Sequence, residues 1–315
     1  MAGYTRRDIL RMATALATGA GLGKTHAAAM AQGFEEILSG ETKVLWLQGM
    51  ACTGCSVSLL NSDDPGPLQV VTEVLSVIYH STVMAAQGDD AMQIIEKAAS
   101  EGGYFLVVEG SVPLGMPEAC IMGGKPFADV LTRVASNAAG IVAAGTCSAF
   151  GGIPAAEGNL TGAVSMREFM EEKGIPVEGR LINCPGCPVH PQSLLGTVAH
   201  TVAKGIPALD PELLTPDMFY RHTVHDECPL FHYWEKEEFA EKFGDEGCLF
   251  KLGCLGPTSH TSCARRQWNG AVNWCIRAGA PCNGCSSPDF ARIRDFPFYR
   301  NRELAETNQM TAMHD

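Results

Sequence analysis

Between about residues 43 and 203, short apolar runs alternate with longer stretches of helical periodicity. Four runs are apolar enough to be strands buried on both faces, and they cover residues 43–47, 104–108, 140–144 and 181–183. Between the first two runs, apolar residues recur at helical spacing, which predicts a helix packed on the core: Val70, Val71, Val74, Leu75 and Ile78. This alternation predicts an α/β domain built on a parallel sheet.

Each predicted strand leads into a loop that carries a chemically active side chain. In chain order these are Cys52 and Cys55, then Glu109, then Cys147, and finally Cys184 and Cys187. Ligands of open α/β sheets bind at the carboxyl ends of the strands, so we expect these loops to converge on one crevice. Two interpretations of Glu109 stay open: a proton-carrying or hydrogen-bonding group at the crevice, or a carboxylate that caps the next helix.

The pattern changes after about residue 205, where Pro-rich connections appear and no periodic core is visible. Bound metal commonly organises such a segment, because the free energy of metal binding then contributes to folding. We therefore expect an α/β domain over residues 42–205, a mostly irregular or helical domain over residues 206–305, and a polar tail at 306–315.

The first 31 residues have the features of an export signal. Arg6 and Arg7 form a twin-arginine pattern, an Ala- and Gly-rich stretch runs to Gly23, and residues 29–31 offer a small-x-small cleavage site. The alternative is an Ala-rich helix with a chance Arg pair. No apolar run is long enough to span a bilayer. We expect a periplasmic protein that is exported folded and has no transmembrane anchor.

The net charge of −12 over 315 residues argues against a nucleic-acid partner. Binding to phosphates requires clustered Lys and Arg side chains, which this composition does not favour. An acidic surface suits a basic protein partner, or simply keeps the molecule soluble.

The thirteen cysteines admit three explanations: disulfides, zinc or iron–sulfur clusters. The odd number and the Cys-x2-Cys pairs are awkward for a disulfide framework. Zinc favours compact groups of four ligands, whereas these thiols are distributed along the chain beside Gly and Pro. Clusters take thiolates in fours, and Gly lets the backbone approach them closely. Clusters are therefore favoured, with zinc and disulfides as the alternatives.

Spacing divides twelve candidate ligands into three groups of four. The loops of the sheet supply Cys52, Cys55, Cys147 and Cys187. The next group is His225, Cys228, Cys248 and Cys254. The last group is Cys263, Cys275, Cys282 and Cys285. Cys120 and Cys184 are left over, and we expect both to be small buried apolar residues.

A lone His is more often a hydrogen-bonded residue than a metal ligand. His225 is favoured as a ligand because Cys228 follows three residues later, and its rivals are His222 and His232.

Five motifs resemble the small subunit of nickel–iron uptake hydrogenases, and the likeness extends over nearly the whole chain. They are residues 52–61 (CTGCSVSLLN), 84–88 (MAAQG), 145–149 (GTCSA), 185–188 (PGCP) and 281–285 (PCNGC). The resemblance implies a flavodoxin-like domain that holds a proximal cluster and a second domain that holds medial and distal clusters. The groups beginning at Cys52, His225 and Cys263 then correspond to the proximal, distal and medial ligands, respectively.

The medial group departs from the family's commonest pattern. Most relatives have Trp-Pro where this chain has Trp274 and Cys275, and they hold a 3Fe-4S cluster with three thiolates. The fourth thiolate here implies a 4Fe-4S cluster, as in the nickel–iron–selenium branch. Gly54 and Gly152 occupy the positions where oxygen-tolerant relatives have two extra cysteines, so their special proximal cluster is not expected.

The resemblance further implies that this chain is the electron-transfer subunit of an obligate heterodimer. The nickel–iron centre that oxidises H2 would lie in a separate large subunit, so no catalytic residue is expected in this chain. Electrons would pass through three 4Fe-4S clusters to an acceptor such as a multihaem c-type cytochrome, and His225 would mark the exit. The alternatives are an electron-transfer subunit of a quinone-reducing complex and a secreted zinc or disulfide protein.

Four side chains near the medial group also have open roles. Trp268 and Trp274 fit the packing that keeps water from a cluster. Arg265 and Arg266 fit either charge stabilisation at a cluster or contact with a partner, and the sequence does not choose between these two roles.

Overall fold

The computed structural model describes residues 6–19, 21–38, 43–63, 66 and 77–291. A five-stranded sheet forms its centre, built from β1 (Lys43–Gln48), β2 (Val77–His80), β3 (Tyr104–Glu109), β4 (Gly140–Ala144) and β5 (Leu181–Cys184). All neighbouring strands are parallel, and their spatial order is β2–β1–β3–β4–β5. This is the flavodoxin-like order. The predicted α/β fold is confirmed.

The second strand corrects one prediction. Ile78 lies in β2 rather than in a helix, and this strand pairs in parallel with β1 at the edge of the sheet. The run of Val, Ile and Tyr favours a strand, because β-branched and aromatic residues pack well on a pleated surface. The other four residues of that predicted helix, numbers 70, 71, 74 and 75, lie outside the described residues.

Helices cover both faces of the sheet. In chain order they are α1 (Arg6–Gly19), α2 (Lys24–Leu38), α3 (Gly54–Leu59), α4 (Gly88–Glu101), α5 (Phe127–Asn137), α6 (Thr146–Phe150), α7 (Met166–Glu172) and α8 (Pro191–Lys204). Buried side chains of α4, α5 and α7 pack on one face, and those of α1, α2 and α8 pack on the other. Two small antiparallel ribbons lie outside the sheet, Val112–Pro113 with Ala163–Val164 and Ile121–Met122 with Lys125–Pro126.

The two N-terminal helices pack against α8. Gly33 of α2 lies so close to α8 that a Cβ there would be 1.8 Å from the carbonyl oxygen of Ala199. The predicted cleavage site at residues 29–31 falls inside α2, where Met30 is fully buried. Cleavage at that site therefore requires α2 to unwind locally. No helix of the described part of the chain is both long and apolar enough to cross a bilayer.

Residues 205–291 contain only short regular elements, as the sequence predicted. They are α9 (Asp217–Tyr220), α10 (Phe231–Trp234), α11 (Cys263–Arg266) and the 3-10 turns Leu249–Leu252 and Gly256–Thr258. A small core of their own contains Val224, Leu249 and Trp274. The Tyr220 hydroxyl donates to the carbonyl of Pro185 at 3.0 Å, which joins this segment to the loop after β5.

Candidate cluster sites

Three cavities contain the twelve predicted ligands, and each cavity is lined by one complete group of four. The proximal cavity, about 80 Å³, is lined by Cys52, Cys55, Cys147 and Cys187. The medial cavity, about 570 Å³, is lined by Cys263, Cys275, Cys282 and Cys285. The distal cavity, about 20 Å³, is lined by His225, Cys228, Cys248 and Cys254.

The three cavities follow one another through shared walls. Gly54, Cys187 and Pro188 line both the proximal and the medial cavity. Val224 lines both the medial and the distal cavity. The medial cavity is therefore adjacent to both of the others.

The proximal thiols lie beyond the carboxyl ends of β1, β4 and β5, as predicted, with Cys55 in the first turn of α3 and Cys147 in the first turn of α6. Glycine is required beside them. A Cβ on Gly145, whose φ is +84°, would lie 2.4 Å from the sulfur of Cys55. A Cβ on Gly152, whose φ is +52°, would lie 2.9 Å from the sulfur of Cys147. Side chains at these positions would close the space around the sulfurs.

Glu109 ends β3 with its carboxylate buried at the proximal cavity. It accepts hydrogen bonds from the backbone N–H groups of Cys55 at 3.0 Å and Ser56 at 3.4 Å. These N–H groups belong to the first turn of α3, so Glu109 caps that helix. One of the two interpretations left open by the sequence was a cap on the next helix; the helix that Glu109 caps instead precedes it in the chain and carries Cys55.

Sequence reasoning missed the polar residues around Glu109. Its carboxylate also accepts from the Ser56 hydroxyl at 2.5 Å, Gln48 Nε2 at 3.1 Å and Trp46 Nε1 at 3.2 Å. The Ser56 oxygen lies 3.0 Å from Nε2 of His80, which ends β2. His80 could have been identified as the residue at the end of a strand, beside the other strand ends. Because the preceding segment was interpreted as a helix, β2 and therefore His80 were missed.

The distal cavity distinguishes His225 from its rivals. His225 lines it, with its ring centre 5.0 Å from that of Phe231 and 4.9 Å from that of Trp234. His222 and His232 are exposed and do not line it. Burial lowers the pKa of His225, which favours the neutral imidazole that binds metal.

Two tryptophans line the medial cavity, and a buried arginine lies near Cys263. Trp268 and Trp274 both line the cavity, in agreement with a packing role. Arg266 is buried, with Nη2 donating to Ser193 Oγ at 2.6 Å. Its Nε and Nη1 have no hydrogen-bond partner among the described residues. Arg265 instead pairs with Glu227 at 2.8 Å on the partly exposed side.

All thirteen cysteines lie in the described part of the chain, and all are free thiols. Burial raises the pKa of the Cys187 and Cys254 thiols to about 11 and that of Cys285 to about 12. The protein alone therefore does not stabilise these thiolates, whereas a bound metal would. Among the described residues, no three His, Cys, Asp or Glu side chains converge as a single metal ion requires.

The two cysteines outside the groups do not line the three cavities. Cys184 is fully buried in the core, as predicted, and Cys120 is half-buried against the core on the other face of the sheet.

Comparison with known proteins identifies two matching families. Residues 220–299 match the family described as the C-terminal part of the NiFe/NiFeSe hydrogenase small subunit. Residues 52–201 match the family of the NADH ubiquinone oxidoreductase 20 Kd subunit. The second match accounts for the quinone-reducing alternative, and the first favours a hydrogenase over it.

Relatives cover nearly the full chain. The chain is 36% identical to the periplasmic [NiFeSe] hydrogenase small subunit of Desulfomicrobium baculatum, over 94% of this chain and 98% of that protein. It is also 36% identical to the periplasmic [NiFe] hydrogenase small subunit of Solidesulfovibrio fructosivorans, over 94% and 93% of the two chains. The crystal structure of a reduced, active Ni-Fe-Se hydrogenase from Desulfomicrobium baculatum superposes with a TM-score of 0.77 and 38% identity, covering 83% of this chain and 99% of that one. This chain therefore belongs to the family of nickel–iron hydrogenase small subunits, the electron-transfer subunits of heterodimeric oxidoreductases.

Proposed function

We propose that the three groups of four hold three 4Fe-4S clusters, which carry one electron at a time between the nickel–iron centre of a large subunit and an external acceptor. The observation that carries this proposal is the division of twelve side chains, four by four, among three adjoining cavities. The chain's own contribution is to hold the thiols, exclude water and set the local charge.

The donor sets fit clusters better than the alternatives. Thiols that surround a cavity leave room for an inorganic core at the proximal and medial sites, and at the proximal site Gly145 and Gly152 lie beside the sulfurs of Cys55 and Cys147. Free thiols give the disulfide alternative no support.

We assign the medial site a 4Fe-4S rather than a 3Fe-4S cluster because Cys275 lines the same cavity as Cys263, Cys282 and Cys285. Three thiolates suffice for a 3Fe cluster in relatives with Pro at that position. A fourth thiolate supplies the ligand for the fourth iron.

Glu109 serves the proximal site by hydrogen bonding. By accepting from the N–H of Cys55 it fixes that thiol relative to the end of β3. The Ser56 hydroxyl and His80 ring continue the polar contacts away from the cavity, so the same carboxylate is placed to exchange a proton.

His225 is the proposed exit for electrons. The segment between His225 and Cys248 is rich in carboxylates, which suits a basic acceptor such as a multihaem c-type cytochrome. The nearby carboxylates are Asp226, Glu227, Glu235, Glu237, Glu238, Glu241, Asp245 and Glu246.

We further propose a periplasmic location, reached in folded form through the twin-arginine signal at residues 1–31. The periplasmic relatives from Desulfomicrobium baculatum and Solidesulfovibrio fructosivorans support this. The proposed domains are residues 42–205 with the proximal site and 206–305 with the other two, followed by a tail at 306–315. The partner is the large subunit, in an obligate heterodimer.

Single cysteine replacements in the purified heterodimer test the assignment. Cys187→Ser, Cys285→Ser and Cys248→Ser should each change a different one of three reduced-cluster signals in electron paramagnetic resonance (EPR) spectra. Cys120→Ser and Cys184→Ser are matched controls and should leave all three signals in place. Loss of a cluster in either control, or unchanged signals in all three ligand variants, would refute the assignment.

A further inference from the structure

The loop Cys282-Asn283-Gly284-Cys285, here called the medial loop, contacts the neighbouring groups at both ends. Cys187, a proximal ligand, lines the medial cavity together with Cys285. The Cys282 carbonyl accepts from the backbone N–H of Leu255, the residue after the distal ligand Cys254. One end of the medial loop therefore contacts the proximal group, and the other end contacts the distal group.

A single buried hydroxyl strengthens the proximal contact. Thr146 Oγ1 donates to the carbonyl oxygen of Cys285 at 2.5 Å and accepts from the backbone N–H of Gly186 at 2.8 Å. The backbone N–H of Thr146 also donates to the Gly186 carbonyl at 3.0 Å. Thr146 precedes the ligand Cys147, and Gly186 precedes the ligand Cys187. One hydroxyl thus joins two proximal loops to the medial loop.

The distal contact is made by backbone and apolar groups. The N–H of Leu255, next to Cys254, donates to the Cys282 carbonyl at 2.7 Å. A Cβ on Gly284, whose φ is +71°, would lie 3.0 Å from Leu255 Cδ1. This junction is independent of Thr146, so it serves as an internal reference for any change at the proximal junction.

We propose that Thr146 is the positioning residue that holds the Cys285 end of the medial loop against the two proximal loops, and so sets the distance over which an electron passes between the proximal and medial sites. The inference rests on the proposed function. In this step a single electron passes from the proximal site to the medial site. No bond is formed or broken, and no proton moves. The rate of electron transfer falls steeply with distance, and hydrogen-bonded contacts raise it. The position in which Cys285 is held relative to Cys187 therefore sets the rate between the two sites.

The test compares Thr146→Val with Thr146→Ser in the complete heterodimer. Valine keeps the branched shape but removes the hydroxyl, leaving the Gly186 N–H and the Cys285 carbonyl without their partner, whereas serine keeps both bonds. Pulsed EPR spectra of the reduced protein report the magnetic interaction between proximal and medial clusters and that between medial and distal clusters. Two further measurements are made on the same variants: the iron content, and the rate of electron transfer between clusters after rapid mixing.

Thr146→Val should weaken the magnetic interaction between the proximal and medial clusters and slow electron transfer between them. The interaction between the medial and distal clusters should stay at its wild-type value. Thr146→Ser should resemble the wild type in both respects. Selective loss of medial iron in Thr146→Val, with rescue in Thr146→Ser, also supports the positioning role. If Thr146→Val does not assemble, Thr146→Ala supplies the same comparison.

Wild-type behaviour of the hydroxyl-free variants, or equal change at both junctions, would overturn this inference alone. Absence of the three clusters from the wild-type protein would instead refute the proposed function.

Discussion

The carboxylate of Glu109 accepts a hydrogen bond from the backbone N–H of Cys55 at 3.0 Å, which ties the end of β3 to the first turn of α3. A buried acceptor thereby satisfies donors at a helix start that would otherwise have no partner. The same helix carries a proximal ligand, so the geometry of the sheet is transmitted to the site.

Replacing Glu109 by Gln should lower the free energy of unfolding by about 1–3 kcal/mol, because the amide cannot accept from all of the buried donors. A fall in the thermal midpoint of the heterodimer, measured at fixed concentration, checks this. Glu118→Gln is the control, since Glu118 is exposed. Equal midpoints for the two variants would contradict the capping role of Glu109.

Cys275→Ser tests the type of medial cluster. The variant should lose about one iron of twelve and show a strong 3Fe signal in the EPR spectrum of the oxidised protein, because three thiolates remain. The wild-type protein should lack that signal. A strong 3Fe signal in intact wild-type protein would show that Cys275 is not a ligand.

Arg266→Met should lower the reduction potential of the medial site, because it removes a buried positive charge near Cys263 that favours the added electron. Arg266→Lys keeps the charge and should shift the potential less. Arg265→Met is the solvent-exposed comparison and should have a smaller effect because solvent screens its charge. An EPR-monitored redox titration measures all three, and an unchanged potential in Arg266→Met would exclude this electrostatic role.

His225→Cys separates the exit site from hydrogen activation. The added thiolate should make the distal site harder to reduce and slow the reduction of an external cytochrome. Hydrogen–deuterium exchange at the large subunit should remain near the wild-type rate. His232→Cys, at an exposed residue outside the cavity, is the control. Equal loss of exchange and of cytochrome reduction would rule out the exit role of His225.

Gly33→Ala should detach α2 from α8 in the full-length chain, since the added Cβ would meet the backbone of Ala199. Gly23→Ala is the matched control, because a Cβ there meets nothing within 4 Å. Amide hydrogen exchange of α2 should increase in the first variant only. Equal protection of α2 in both variants would contradict the packing of this helix.

The sheet was predictable where burial on both faces leaves a continuous apolar run, as in β4. The edge strand β2 was not, because Ile78 also continued a helical spacing and short apolar runs fit both structures. Sequence spacing predicted which four side chains line each cavity, since two intervening residues keep Cys52 with Cys55, His225 with Cys228 and Cys282 with Cys285. The sequence left the role of Arg266 open, because its burial depends on contacts with α8 that lie far away in the chain.

The reverse connection of Glu109 to α3 was also beyond sequence reasoning. Residues 55 and 109 approach only because β1 and β3 are neighbours in register, with Gln48 opposite Glu109. The order of elements along the chain suggested that Glu109 caps the helix that follows it. The order of strands in the sheet instead places Glu109 beside α3, which precedes it.

Metal and sulfide analysis of the purified heterodimer, with the large subunit's nickel and iron subtracted, tests the central claim most directly. Three cubane clusters require about twelve iron and about twelve acid-labile sulfide per small subunit, with no stoichiometric zinc. A small subunit that contains zinc, or that is colourless and free of iron, would contradict the account.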